Sequence, residues 1–169
     1  MAFWDKMKKA LVGDTPAPEE KKAPEPAAED SSAASSSAAA SAADGDTGDY
    51  RACKVEKGLR GWGGPLVIQP TKKRNLIYSV TGGGIHPVAQ KIAELTGADT
   101  FDGFKSKADF EQIAAAVIDC GGTARVGVYP MKGIPTIDVH AATPSGPLAK
   151  YINETNFVSG VKEDNVTQA

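Results

Sequence analysis

From Asn75 onward the apolar positions come in blocks whose spacing switches between that of strands and that of helices. Leu76, Ile77, Tyr78 and Val80 make Asn75–Val80 a β-rich run. After Thr81-Gly82-Gly83-Gly84 the period lengthens: Val88, Ile92 and Leu95 share one helical face, Pro87 suits a first turn, and Gly97 suits the stop. A second helix is expected around Lys107–Gln112. Ile113–Ile118 is apolar at every position, as a strand buried on both faces should be, and it ends in Asp119-Cys120-Gly121-Gly122. Arg125–Tyr129 and Thr136–Val139 read as further strands on either side of Pro130–Pro135. Leu148–Ile152 reads as a short helix and Asn156–Val161 as a last strand. Upstream, the short strands Arg51–Lys57 and Leu66–Gln69 flank the turn cluster Gly61-Trp62-Gly63-Gly64-Pro65. The alternation predicts an α/β domain over residues 49–169, a mixed sheet with flanking helices.

Before Asp49 that pattern disappears. Residues 14–48 consist almost wholly of Ala, Ser, Pro, Glu, Asp and Lys, with no aromatic residue. Such a segment buries too little apolar surface to offset the entropy of ordering its backbone, so a disordered linker is expected. Its eight acidic residues against Lys21 and Lys22 leave a net charge of -6, and self-repulsion together with the prolines should keep it extended. At the start, Phe3, Trp4, Met7 and Leu11 recur at helical spacing among Asp5, Lys6, Lys8 and Lys9. Residues 1–13 are therefore expected to form a short amphipathic helix that docks on a protein partner or an anionic membrane surface.

Charge and cysteine content then narrow the function. Residues 49–169 carry 14 Lys plus Arg against 12 Asp plus Glu, a net of +2, with no basic stripe for nucleic acid. Cys53 and Cys120 lie 67 positions apart with no second ligand at metal-binding spacing, so no metal site and no cofactor are expected. No secretory leader is visible, and no run approaches the roughly 20 apolar residues of a membrane span. The expected location is the cytoplasm, where a free thiol can act as a nucleophile.

The sharpest chemical feature is Asp119-Cys120-Gly121-Gly122-Thr123-Ala124-Arg125. A buried strand delivers a thiol to two glycines whose amides can converge on an anion. Thr123 adds a hydroxyl and Arg125 a fork-shaped cation suited to phosphate oxygens. The same donors favour the thiolate, which is the nucleophilic form. A small structural Cys beside a glycine turn is the competing reading of the same spacing. Gly82-Gly83-Gly84-Ile85-His86-Pro87 opens onto a helix N-terminus, where His86 is either an accessory group for phosphate or a plain helix start. Lys132 is a second accessory candidate. Trp62 either covers the site or fills a structural turn. His140 reads as the end of a strand, and Cys53 as a small structural residue.

The blocks GWGGPL (61–66), SVTGGGIHPV (79–88), KIAELTGA (91–98), DGFK (102–105), AVIDCGGTARVGVYP (116–130), IPTI (134–137), SGPLAKYI (145–152) and FVSGVKEDN (157–165) together resemble the B component of the glucitol/sorbitol-specific sugar phosphotransferase system. The resemblance runs from about Arg51 to near the C-terminus. It implies a phosphohistidine–sugar phosphotransferase in which the phosphorylated A component passes its phosphoryl group to Cys120. Gly121, Gly122, Thr123 and Arg125 would bind the phosphate. The membrane C component would then present a hexitol to the phosphocysteine, which would bring the chain to the inner face of the membrane through that partner. Relatives often carry a second cysteine where this chain has Val126, show a more basic run before IPTI than Met131-Lys132-Gly133, and are commonly fused to membrane helices. Those departures leave an alternative: a non-catalytic paralogue acting as a regulatory or scaffold module of the same system. A phosphatase-type thiol enzyme fits less well, since four residues rather than five separate Cys120 from Arg125.

Overall fold

The computed structural model describes residues 45–121 and 126–169. The expected N-terminal helix, most of the expected linker, and loop residues Gly122, Thr123, Ala124 and Arg125 lie outside the described residues.

In chain order the elements are β1 (Cys53–Val55), β2 (Leu66–Ile68), β3 (Leu76–Val80), α1 (Pro87–Thr96), β4 (Asp99–Asp102), β5 (Ile113–Ile118), α2 (Val128–Met131), β6 (Thr136–Asp138), β7 (Phe157–Ser159) and β8 (Val166–Gln168). Five strands form a parallel sheet in the order β4-β3-β5-β6-β7. The other three form an antiparallel sheet in the order β2-β1-β8. The α/β class expected from the sequence is what the chain adopts.

β5 is central in the parallel sheet, and all six of its residues are buried. Side chains alternate between the faces of a strand, so each face of β5 needs its own cover. On one face Ala115 and Val117 join Ile77, Ile137 and Val158 beneath Val88, Ala89 and Ile92 of α1, and the small sheet adds Cys53, Val55 and Val166. On the other face Ile118 packs with Val126, Ile152 and Phe157, while Ala116 meets Tyr78, Ile113 and Ile134.

Two sequence expectations are corrected here. The helix around Lys107–Gln112 is one 3-10 turn, Phe110–Gln112, because Asp109 makes no side-chain cap and β5 begins at the next residue. Arg125–Tyr129 is not a strand: the described part turns into α2, with Val126 1 % exposed in the core. Parallel neighbours such as β5 and β6 require a crossover connection, and this segment supplies it. β4 and β8, polar edge strands, have no apolar run to announce them.

The turn cluster at residues 61–64 lies along β7. A Cβ on Gly61 would sit 1.9 Å from the Ser159 carbonyl oxygen, and one on Gly63 (φ +81°) 2.2 Å from that of Phe157, so the close approach demands glycine. The Trp62 N–H donates to the Ser159 side-chain Oγ at 2.8 Å, and the Trp62 carbonyl accepts the Ser159 N–H at 2.9 Å. Its ring rests 6.1 Å from that of Phe157, so Trp62 packs against the same core cluster as Cys120. Residues 45–50 run along Thr71 and Lys72. There the Asp46 carbonyl accepts the Lys72 N–H at 2.9 Å and its carboxylate pairs with the Lys72 ammonium.

Candidate functional site

In an open parallel sheet, the crevice beyond the carboxyl ends of the strands forms where chain order reverses. Here α1 carries the chain from β3 outward to β4, while β5 pairs with the other side of β3, so the reversal falls between β3 and β5. Cys120 stands two residues past the end of β5, directly at that point. A cavity of about 280 Å³ opens there, lined by Val80, Ile118, Asp119, Cys120, Val128 and Tyr129. Cys120 is partly exposed, whereas Cys53 is wholly buried. Burial pushes the Cys53 thiol up to about 12, against a smaller opposing bond from the Ile68 backbone, so it stays protonated and enclosed.

The Cys120 N–H donates to Oδ1 of Asp138 at 3.3 Å, and the His140 N–H donates to the same oxygen at 2.9 Å. Asp138 ends β6 with no exposed surface, and its Oδ2 has no partner among the described residues. Burial pushes its carboxyl up to about 6; the donors from His140 and Cys120, and then the charge of His140, oppose that shift, while Asp119 adds to it. The imidazole of His140 lies against Gly121, where a Cβ would come within 3.3 Å of Nε2. Sequence reading assigned neither Asp138 nor His140 a role. The signal available was only their position at the end of a strand expected over Thr136–Val139.

Of the other candidates, His86 caps α1: its Nδ1 accepts the Val88 N–H at 3.2 Å, and its own N–H donates to Ser79 Oγ at 3.1 Å. It lines a separate cavity of about 500 Å³ with Asp119, Val139 and Val161. Lys132 follows α2 with its ammonium 5.7 Å from the Phe110 ring, at the start of β5 rather than at its end. Gly121 is exposed beside Cys120, while Gly122, Thr123 and Arg125 lie outside the described residues. Among the described residues, no helix is long and apolar enough to cross a membrane. None of their His, Cys, Asp and Glu side chains form a group of three that could hold a metal ion.

The architecture is that of an α/β domain presenting one accessible cysteine at the switch point of a parallel sheet. Residues 52–169 match the family described as sorbitol phosphotransferase enzyme II N-terminus, and the chain belongs to that family. A glucitol/sorbitol-specific EIIB component of a phosphotransferase system from Clostridium beijerinckii is 46% identical over 121 residues, which is 71% of this chain and 36% of that protein. The chain thus spans about a third of the length of this curated relative. No solved structure matches it.

Proposed function

We propose that this domain is a phosphocarrier of a glucitol/sorbitol-type sugar phosphotransferase system, taking up the phosphoryl group on Cys120. Its donor would be a phosphohistidine of the A component, and its acceptor a hexitol held by the membrane C component. The observation that carries the reading is a partly exposed thiol at the sheet's switch point, in a chain of the sorbitol enzyme II family. Cys53 is too deeply enclosed to compete. Val126, where relatives often show a second cysteine, points into the core, so a thiol there would also be enclosed.

In the first step the Cys120 thiolate attacks phosphorus; the S–P bond forms as the P–N bond of the donor breaks, and the released imidazole takes a proton. In the second, a hexitol hydroxyl attacks, the S–P bond breaks, the thiolate returns, and the hydroxyl proton passes to a base. Such transfers depend on positioning and on donors aimed at the phosphoryl oxygens. Gly121, Gly122 and Thr123 supply that kind of donor, and Arg125 the cation that can grip two oxygens at once.

Incubation with phosphoenolpyruvate, the general phosphotransferase proteins and the A component should place one iodine-labile phosphoryl group on the chain, and none on Cys120→Ala. A label that persists in Cys120→Ala overturns the assignment. A wild-type chain that binds the A component yet never takes label points instead to a scaffold module.

A further inference from the structure

The loops that follow β5 and β6 meet beyond the sheet. One carries Cys120 and Gly121, the other Val139 and His140. The second loop is fixed by its backbone: the His140 N–H is held by Asp138 Oδ1 at 2.9 Å, and its carbonyl accepts the Gly160 N–H at 3.1 Å. The first is tied to the same carboxylate oxygen through the Cys120 N–H at 3.3 Å. A single buried side chain therefore fixes the thiol loop relative to the histidine loop. Burying a carboxylate whose second oxygen has no partner among the described residues is costly, and it is seldom found where packing alone is at stake. The His140 ring is exposed and lies against the residue next to the thiol. Nε2 is 3.3 Å, and Cδ2 3.5 Å, from the Cβ that Gly121 lacks. With glycine at 121, the imidazole packs directly on the residue beside the thiol.

We propose that His140 is a catalytic residue of this site, its Nε2–H donating to an oxygen of the phosphoryl group on Cys120, with Asp138 as the positioning residue that holds the two loops together. The proposal rests on the phosphocarrier reading. His140 forms no bond to phosphorus. It counters the negative charge on the phosphoryl oxygens while the S–P bond forms or breaks at Cys120. Removing one preorganised donor of this type commonly costs about 100-fold or more in rate.

Two measurements on the full chain test it. The first needs no partner protein: the rate of Cys120 alkylation by anionic iodoacetate relative to neutral iodoacetamide. His140→Ala should lower that ratio about threefold or more, and His140→Gln, which keeps a donor, should recover part of it. The second is phosphoryl uptake from the A component, which should slow at least tenfold in His140→Ala, less in His140→Gln, and vanish in Cys120→Ala. An unchanged alkylation ratio, or uptake by His140→Ala within about twofold of wild type while Cys120→Ala takes no label, overturns the role of His140 alone. Label remaining on Cys120→Ala instead overturns Cys120 as the phosphoacceptor, and the alkylation ratio still reports whether His140 faces the thiol.

Discussion

Asp138 accepts N–H groups from Cys120 and His140 through one oxygen, and its carboxyl is pushed up to about 6, chiefly by burial. Its ordinary value is 3.8, so between about 4 and 6 the folded chain binds more protons at this residue than the unfolded chain does. Stability from this group therefore falls as pH rises through that window: the penalty is absent below it and fully present above it. At about 1.4 kcal/mol per unit, the penalty is at most about 3 kcal/mol. Asp138→Asn keeps an oxygen to accept both N–H groups but cannot ionise. Urea unfolding at about pH 4 and about pH 7 should show wild type losing on the order of 1–3 kcal/mol relative to the variant as pH rises. A wild-type-to-variant difference that does not change with pH would show that the carboxylate is solvated.

Elements whose signal is local were legible in the sequence; those defined by their neighbours were not. β5 declares itself through six consecutive apolar residues, and α1 through the positions of Val88 and Ile92, with Pro87 at its start and Gly97 (φ +80°) at its stop. β4 and β8 are strands only because β3 and β1 offer them backbone partners, which composition does not reveal. Arg125–Tyr129 reads as a strand because Val126 and Val128 favour extended backbone locally, while the crossover between β5 and β6 overrides that preference. The start of α1 also separates the two readings of His86. Its Nδ1 is engaged by the Val88 N–H, which is the work of a cap. His86→Ala should cost about 1 kcal/mol in unfolding free energy and His86→Asn much less, since Asn caps well. Both should take up phosphoryl groups within about twofold of wild type once folded; a tenfold slowing in both variants would assign His86 to the phosphate instead.

Across the whole molecule, the direction of the parallel sheet sorts the charged residues into two sets. The carboxyl ends of β5 and β6 bring Cys120, Asp138 and His140 together, although 18 and 20 positions separate the last two from the first. The pairing of Ile118 with Asp138 brings them together, a register that the linear order does not contain; hence the cysteine was legible and its two neighbours were not. The amino end of the same sheet holds a groove of about 900 Å³ lined by Lys72, Lys73, Arg74, Phe110 and Lys132, among others. The six residues of β5 alone put about 20 Å between the two ends. A lysine over the Phe110 ring at the amino end gains a cation–π contact worth about 0.5–1 kcal/mol, but at that range its charge is largely screened from the thiol. Lys132→Ala should therefore lower stability by no more than about 1 kcal/mol and leave the rate of phosphoryl uptake within about twofold of wild type. If uptake instead falls tenfold at low salt and recovers little with more A component, Lys132 must reach the phosphoryl group, and the separation of the two sheet ends is not what governs the chemistry.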